Sequence, residues 1–271
     1  MSDISETTME RWNDRTIKML GVDGVNLLAS SHVVVVGVGG VGGYAAEMLV
    51  RSGVGEITII DADDVSVTNI NRQLIADNLS VGQPKVELFE QRFKAINPDI
   101  KVNAHKEYLS AENLTALIPD GVDFVVDAID TVAPKVALIE YCLRNKVGIV
   151  CSMGAGGRID PTSVRYADIW DTKEDGLARA VRQRMKKIGL RRSLAVVCSD
   201  ERPMSHSLIA LEETNKRSSY GTLATIPSLF GIYLATALFV DYPKSVNIIM
   251  LTVYFLYAVV RTIYFMKRFR K

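Results

Sequence analysis

The chain has 271 residues, of which 48% are hydrophobic and 23% charged, and this balance excludes a disordered or fibrous protein. Its 32 lysines and arginines against 31 aspartates and glutamates give a formal net charge of +1, so any surface for a polyanion must be local. Three widely separated cysteines exclude a disulfide framework and a zinc ribbon, and a polar N-terminus without the apolar core of a signal peptide favours a cytoplasmic protein.

The predicted elements alternate between helices and strands. Residues 1–30 have the pattern of an amphipathic helix with a turn at residues 21–24. The β-branched run at 32–36 predicts a strand buried on both faces, and glycines then precede a helix at 44–51. Further strands are predicted at 56–61, 100–104, 123–127 and 147–152, and a further helix at 83–96. This alternation predicts right-handed βαβ units and a single, doubly wound, Rossmann-like α/β domain with a mostly parallel sheet.

The last 26 residues differ from the rest of the chain. Residues 246–260 carry no charge, and Arg261 is followed by a short apolar stretch and a basic end. A helix over 246–266 would be about 31 Å long, enough to cross a bilayer. A true span would place the basic end outside the cytoplasm, against the positive-inside tendency, so membrane contact along the surface and packing in an oligomer are alternatives. We predict a boundary between residues 1–245 and a hydrophobic helix with a basic end in residues 246–271.

A glycine-rich turn follows the first predicted strand and opens a helix. Its sequence is GVGGVG, and its glycines are Gly37, Gly39, Gly40 and Gly42. Glycines permit a tight turn that brings backbone N–H groups close to a phosphate, and the helix N-terminus adds a positive dipole. Asp61 ends the next strand, 19 residues after Gly42, where a carboxylate can accept hydrogen bonds from ribose hydroxyls. This combination predicts a nucleotide-binding site.

Polar side chains also follow the later predicted strands. They are Asp63, Asn69, Arg72, Gln73, Lys85 and Asp130. Two cations can neutralise phosphate oxygens and a carboxylate can hold Mg²⁺, so this set fits a nucleoside triphosphate. A dinucleotide oxidoreductase shares the glycine turn, but it leaves Arg72, Lys85 and Asp130 without a role.

With these motifs the sequence resembles the ThiF/MoeB/HesA family, the bacterial relatives of ubiquitin-activating enzymes. The matching motifs are GVGGVG at 37–42, DADDV at 61–65, NINRQ at 69–73, GQPK at 82–85 and DAIDT at 127–131. The resemblance runs from about residue 11 to about residue 241. It implies an ATP-binding domain over 1–245 that adenylates a carboxylate, releases pyrophosphate and works as a homodimer.

The resemblance also implies roles for single residues. Asp61, with Asp63 beside it, would bind the ribose. Asn69 and Gln73 would line the ATP pocket, and Asp130 would hold Mg²⁺. The catalytic set would be Arg15, Arg72, Lys85 and Asp130, whose charges screen the repulsion between a carboxylate and the triphosphate. Arg15 matches the position of a family arginine that reaches the ATP of the partner subunit, and Arg11 is the second candidate for this role. The alternative interpretation of Arg15 is a solvated charge on a helix.

Two branches of this family differ in the carboxylate that they activate. Enzymes that activate the C-terminus of a ubiquitin-like sulfur carrier commonly carry paired CxxC motifs, and this chain has none. The segments at 141–146, 154–161 and 221–235 instead resemble the branch that dehydrates threonylcarbamoyladenosine in tRNA to its cyclic form. Two alternatives are open. One is activation of a sulfur carrier, with a sulfur-transfer protein as partner, and the other is a membrane-tethered scaffold without catalysis.

A basic segment gives independent support for a polyanionic substrate. Residues 179–192 contain seven cations and no acid. An apolar stripe that could dock a helix on the domain is formed by Leu177, Val181, Met185 and Ile188. The candidates for tRNA binding are Arg179, Arg182, Lys186 and Arg191. Such contacts give salt-dependent affinity, and a solvated basic helix is the alternative. Cys198 follows this segment and is interpreted as a buried, inert cysteine, with a thioester or persulfide role as the alternative.

Overall fold

The computed structural model of the protein describes residues 11–210 and 218–241. The helices in this part of the chain are Asp14–Ala29 (α1), Gly42–Ser52 (α2), Lys85–Ile96 (α3), Leu114–Leu117 (α4), Val132–Asn145 (α5), Gly176–Lys187 (α6) and Thr225–Asp241 (α7). The strands are His32–Val36 (β1), Glu56–Ile60 (β2), Lys101–His105 (β3), Phe124–Asp127 (β4), Gly148–Ser152 (β5), Val164–Asp168 (β6), Ala195–Ser199 (β7), Leu208–Ala210 (β8) and Ser218–Tyr220 (β9).

Seven of the described strands form one sheet in the order β3-β2-β1-β4-β5-β7-β6. Its neighbouring strands are parallel except for β6, which runs antiparallel to β7 at one edge. In the central register, Val34 of β1 pairs with Thr58 of β2 on one side and with Val125 of β4 on the other. Strands β8 and β9 form a separate antiparallel pair. The predicted doubly wound α/β fold is confirmed.

Both faces of the central strand are buried. Val34 and Val36 of β1 belong to a hydrophobic cluster that includes Leu138 of α5 and Val181 of α6. The alternate residues of β1 point to the other face and are equally buried. Phe89 of α3 packs there against α2 and lies outside that cluster. Helices therefore cover the two faces of the sheet, which explains why β1 is a continuous apolar run.

The order of the strands creates a crevice at the centre of the sheet. From β1 the chain moves outward to β2 and β3, then returns to the other side of β1 for β4 and β5. Connections after β1 and β4 therefore leave the sheet in opposite directions, and ligands of open α/β sheets bind at such a switch point. The carboxyl ends of β1, β2 and β4 are consequently the place where a site is expected.

The N-terminal helix agrees with its prediction in part. Helical residues lie on both sides of Gly21, where the predicted turn begins, and its φ of +75° and ψ of 171° kink α1 at that residue. Val25 and Leu28 are buried, whereas the apolar side chains of Met19 and Trp12 are 85% and 48% exposed. The predicted helix is thus present over Asp14–Ala29, with its buried apolar side chains near its C-terminal end, and residues 1–10 of the prediction lie outside the described residues.

The chain divides into two compact units, of which the first ends at Ala235 and the second begins at Thr236. Helix α7 contains this division. The predicted boundary at residue 245 and the predicted helix at 246–266 lie outside the described residues and stay predictions. None of the helices within 11–210 and 218–241 combines the length and the apolar character needed to cross a bilayer.

Candidate active site

A cavity of about 1030 Å³ opens at the carboxyl ends of the central strands. Its walls include Val36 at the end of β1, Ile60 at the end of β2 and Ala128 just after β4. Most of the residues predicted to bind the nucleotide line it, namely Gly37, Gly39, Asp61, Asp63, Asn69, Arg72, Gln73, Lys85 and Asp130. The structure thus brings together in one place motifs that are separated by nearly a hundred residues of sequence.

The glycine turn is shaped by close backbone contacts. Gly37 has a φ of +84°, and a Cβ there would lie 3.0 Å from the carbonyl oxygen of Ala128. A Cβ on Gly42 would lie 1.7 Å from the carbonyl oxygen of Gly37, so only glycine fits at this position. Helix α2 begins directly after the turn without a side chain capping its first N–H groups. The Gly43 N–H already donates to the Gly39 carbonyl at 3.0 Å, and the positive dipole of the helix start still favours an anion such as phosphate.

Asp61 connects the glycine turn to the end of β2. Its Oδ2 accepts a hydrogen bond from the Val38 N–H at 2.8 Å, and its Oδ1 accepts one from the Asp63 N–H at 2.9 Å. Burial raises the pKa of Asp61 above its ordinary value, although Lys85 and the two backbone N–H groups act in the opposite direction. Each carboxylate oxygen has a second lone pair, so Asp61 can brace the turn and still accept a ribose hydroxyl.

Lys85 places a buried ammonium group in the first cavity. It begins α3, and its side chain is 4% exposed. Its Nζ lies 2.7 Å from Oδ2 of Asp63 and 3.8 Å from Oδ1 of Asp61. Because the Asp63 side chain is 70% exposed, solvent weakens that ion pair, and a triphosphate in the cavity can compete for the ammonium.

The second predicted cation, Arg72, is fixed by its own segment of chain. Its guanidinium donates to the Thr68 carbonyl at 2.8 Å and to Oδ1 of Asn71 at 3.0 Å. Asn71 in turn donates to the carbonyl of Thr222 at 2.9 Å, which ties this segment to the chain that follows β9. Arg72 has five N–H donors, so these bonds leave others available to phosphate oxygens.

Two amide side chains differ in how their polar atoms are used. Asn69 is buried, and its Oδ1 accepts from the Ser66 N–H at 3.0 Å, which gives it a structural role in the turn. Gln73 is also buried, and its Oε1 has no hydrogen-bond partner among the described residues. A buried acceptor without a partner is unfavourable, and a donor on a bound nucleotide would satisfy it.

Asp130 lies on the loop after β4 and borders the first cavity. The base of this loop is held by Asp127, whose Oδ1 accepts from the Ile129 N–H at 3.0 Å. Oδ2 of Asp127 pairs with Nζ of Lys135 at 2.6 Å, and both side chains are fully buried. Lys135 also donates to the carbonyl of Ser152 at 3.0 Å, so one ammonium joins the ends of β4 and β5.

Lys135 was not among the predicted site residues. Its position in α5 does contain a signal, because Lys135, Leu138, Ile139 and Cys142 are spaced as one helical face and all are fully buried. A lysine on an apolar helical stripe is improbable unless it has a buried partner. That spacing could have pointed to Asp127 on the preceding strand.

A second cavity of about 570 Å³ adjoins the first, and Gly39, Arg72 and Asp130 line both. Its other walls come from the loop at 154–156 and from the first turns of α6. The wall is held by Arg158, which is 2% exposed and pairs with the buried carboxylate of Asp175 at 3.5 Å. The glycine-rich loop contributed to the family resemblance, but no role was predicted for Arg158.

Three predicted residues lie elsewhere. Gly40 lines only the second cavity, and Gly42 lines neither cavity, because it packs against the glycine turn itself. The turn requires a glycine at this position, and direct binding of the nucleotide by Gly42 stays a prediction. Arg15 is exposed on α1 and lines neither of the two cavities.

Residues 179–187 of the basic segment lie in α6, and Val181 and Met185 of the predicted apolar stripe are buried, whereas Leu177 is half-buried. Its candidate tRNA ligands differ in their contacts. Arg182 donates to the carbonyls of Ile169 and Thr172, and Nζ of Lys186 lies 5.7 Å from the centre of the Trp170 ring. Arg179 on α6 and Arg191 beyond its end are exposed.

Cys198 is buried within β7, and burial raises the pKa of its thiol to about 11. A thiol of this kind stays protonated at neutral pH and is a poor nucleophile. The structure therefore agrees with the interpretation of Cys198 as a buried, inert cysteine.

Comparison with known proteins places this geometry in a family. The model of the ThiF family matches residues 13–240. The tRNA threonylcarbamoyladenosine dehydratase of Bacillus subtilis (strain 168) is 38% identical over 237 residues, which cover 84% of this chain and 93% of that protein. The protein of the same name from Escherichia coli (strain K12) is 43% identical over 186 residues, which cover 68% of this chain and 69% of that protein.

The fold agrees with a solved structure of such a relative. The crystal structure of E. coli tRNA N6-threonylcarbamoyladenosine dehydratase, TcdA, in complex with ATP matches with a TM-score of 0.76 at 36% identity. The match covers 83% of this chain and 92% of that chain. Because the family model spans the described sheet together with both cavities, this chain belongs to the ThiF family.

Proposed function

We propose that this protein is an ATP-dependent tRNA threonylcarbamoyladenosine dehydratase. It adenylates the threonyl carboxylate of the modified nucleoside and then closes a ring with release of AMP. One observation carries the proposal: Arg72 and Asp130 border both cavities, one fitted to a triphosphate and the other large enough for an acid-bearing nucleoside. The relatives of this name in two bacteria support the choice of substrate.

ATP occupies the first cavity. Its ribose hydroxyls donate to Asp61, and the unpartnered Oε1 of Gln73 accepts a hydrogen bond from the nucleotide. The positive dipole at the start of α2 and the cations of Arg72 and Lys85 hold the phosphates.

Adenylation joins two anions, so charge is the main obstacle. An oxygen of the carboxylate attacks the α-phosphorus, and the bond from that phosphorus to pyrophosphate breaks. Arg72 and Lys85 reduce the repulsion between the reactants and stabilise the negative charge that grows on the phosphate oxygens. Because these donors are already fixed by Thr68 and Asp63, they need little reorganisation during the step.

Ring closure uses the energy stored in the acyl adenylate. A nucleophilic atom of the carbamoyl group attacks the activated carbonyl, loses its proton and displaces AMP. One oxygen of the original carboxylate leaves with AMP, so the substrate has lost the elements of water. No covalent intermediate with the protein is needed, which agrees with the raised pKa of Cys198.

The donor set also fits Mg²⁺. In nucleotide sites this ion is held by one or two carboxylates together with substrate phosphates and waters, and Asp130 supplies a carboxylate on the wall of the first cavity. When bound, Mg²⁺ would neutralise phosphate charge and orient the leaving pyrophosphate.

The protein works as a homodimer in this proposal. Helix α1 exposes Met19 and Val22, which are 85% and 63% exposed, and Arg15 lies one helical turn before Met19. Exposed apolar side chains of this size favour a protein interface. Arg15 lines neither cavity of its own chain. In the proposed dimer a second copy covers α1, and Arg15 reaches the ATP that this partner binds.

A complementation experiment tests this arrangement. Arg15→Ala and Lys85→Ala each inactivate a site, but a mixed dimer of the two variants keeps one complete site. Equal mixing should restore about a quarter of the wild-type activity, because half the dimers are mixed and each has one working site. No recovery after subunit exchange would refute a role for Arg15 across an interface.

Pyrophosphate release tests the reaction itself. Purified protein should release pyrophosphate and form the cyclic nucleoside when it receives ATP, Mg²⁺ and tRNA that carries threonylcarbamoyladenosine, but not with unmodified tRNA. Asp130→Asn should abolish release, whereas Asp120→Asn, an exposed carboxylate away from both cavities, should not. Release that depends instead on a carrier protein ending in Gly-Gly would establish the alternative, with a sulfur-transfer partner.

The place of action in the cell belongs to the same proposal. We expect the enzyme in the cytoplasm, where its tRNA substrate is found, with membrane contact through residues 246–266. Fractionation of cells that express either the full chain or residues 1–245 tests this. Equal amounts of both forms in the membrane fraction would exclude a role for residues 246–266.

A further inference from the structure

We propose that the second cavity and two cations of α6 form one binding surface for the substrate RNA. The cavity takes the modified nucleoside, and Arg184 and Lys187 take phosphates of the same strand. This inference rests on the proposed function, because it requires an acid-bearing nucleoside next to the nucleotide cavity. These two cations differ from those predicted from the sequence, which were Arg179, Arg182, Lys186 and Arg191.

The second cavity has the size and the neighbours that a nucleoside needs. Its volume of about 570 Å³ lies within the roughly 300–1,000 Å³ of small-molecule sites. It shares Arg72 and Asp130 with the first cavity, so a carboxylate at this border faces the phosphates. A carrier tail of two glycines is far smaller and would leave most of this volume empty.

A buried arginine supplies a recognition group. Arg158 donates to the carbonyl of Gly154 and, at 2.9 Å, to the carbonyl of Glu174. Its Nε–H is buried and has no hydrogen-bond partner within the described part of the chain. The remaining wall is rigid, since Asp175 accepts from the Gly154 N–H and from the Ala178 N–H at the start of α6. An acceptor oxygen on the nucleoside would complete the bonding of this guanidinium.

Helix α6 leads from this cavity to the surface. Leu177 and Ala180 line the cavity. Arg184 and Lys187 follow Ala180 by four and seven residues, so they lie on the same face of the helix, and both are exposed. A strand whose nucleoside enters the cavity would therefore run along these two cations.

The other cations of α6 point elsewhere. Arg182 is engaged with the carbonyls of Ile169 and Thr172, and Lys186 lies over Trp170. Both positions are on the side of the helix away from Ala180. Positive charge alone therefore does not select the RNA ligands, whereas the helical face does.

Salt dependence measures the phosphate contacts directly. The KM for a modified anticodon stem-loop is measured across a salt series for Arg184→Gln/Lys187→Gln and for Lys94→Gln. Lys94 is an exposed helix lysine that lines neither cavity, so it serves as the control. The double variant should raise KM at least about tenfold and reduce the slope of log KM against log salt by about 1.4, or about 0.7 for each phosphate that is no longer neutralised. The control should match wild type in both quantities.

A variant that fills the cavity tests the nucleoside site. Ala180→Phe should raise the KM for the stem-loop and lower kcat, while the affinity for ATP measured by calorimetry stays at the wild-type value. The unchanged ATP affinity and an unchanged circular dichroism spectrum show that the variant is folded. Wild-type kinetics in Ala180→Phe would show that the nucleoside binds elsewhere.

The outcomes separate this inference from the proposed function. If wild-type protein cyclises tRNA but Arg184→Gln/Lys187→Gln behaves like the control, the function stands and the surface is wrong. A loss confined to Lys186→Gln would likewise overturn the assigned face. If wild-type protein responds only to a carrier protein, both the function and the RNA surface are refuted.

Discussion

The buried pair of Lys135 and Asp127 predicts a large loss of stability when one partner is removed. Both side chains are fully buried, and their charged atoms are 2.6 Å apart. In Lys135→Met the carboxylate of Asp127 keeps its bond to the Ile129 N–H but loses its counter-ion. Breaking a buried pair on one side costs about 3–5 kcal/mol, because an uncompensated charge stays in the interior.

That loss is measurable by both heat and denaturant. For a chain of this size, each kcal/mol lowers Tm by about 2–4 °C, so Lys135→Met should lower it by about 6–20 °C. Urea unfolding gives the free energy independently. The double variant Asp127→Asn/Lys135→Met removes both charges and should be more stable than Lys135→Met alone.

The same pair should affect Mg²⁺, because it holds the loop that carries Asp130. We expect Lys135→Met to increase the Mg²⁺ concentration needed for half-maximal activity, at a temperature where the variant is folded. A loss of stability below about 1 kcal/mol, or a double variant less stable than the single one, would refute the reasoning. An unchanged Mg²⁺ requirement would limit the pair to a role in stability.

Three further variants test other parts of the domain. Gly42→Ala places a Cβ 1.7 Å from the Gly37 carbonyl oxygen, so calorimetry should show lost ATP binding, and unfolding a destabilisation of about 1–3 kcal/mol. Burial acts to raise the pKa of Glu47, but hydrogen bonds from Arg92 and a second arginine outweigh it and hold this pKa below its ordinary value. Wild type should therefore be more stable than Glu47→Gln by about 1–2 kcal/mol at neutral pH, and urea unfolding should show this difference vanish as pH falls through the lowered pKa. Cys198→Ala should keep full pyrophosphate release, and the native wild-type thiol should resist alkylation at about pH 8; inactivation by this substitution would restore a chemical role for the thiol.

The parts of the fold that could be predicted are those that depend on local sequence. The β-branched run of β1 and the glycine turn after it determine a buried strand followed by a tight turn, and the structure contains both within one or two residues of the prediction. The later strands up to β5 alternate with helices in the same way. The nucleotide residues were predictable for the same reason, since they follow the carboxyl ends of these strands.

The parts that could not be predicted depend on contacts between distant segments. Strand β6 contains Arg165 and Tyr166 and has no continuous apolar run; it is placed by pairing with β7 and by the ion pair between Arg165 and Asp200. The role of Arg158 likewise depends on Asp175, which is 17 residues further along the chain. Gly42 was predicted from the glycine pattern, and its close contact with Gly37 is visible only in three dimensions.

The two cavities differ in how far their walls could be predicted from the local sequence, and this difference bears on substrate specificity. The walls of the first cavity are motif residues at strand ends, and they match the part of the reaction that needs ATP. The second cavity shares the glycine turn and the loop after β4 with the first, but it adds the loop at 154–156, Arg158 and the start of α6. Enzymes that share the adenylation step can therefore keep the first cavity and change substrates through the second. We therefore expect that a change of substrate requires a graft of residues 154–187 from a relative with another substrate, whereas the glycine turn can stay unchanged.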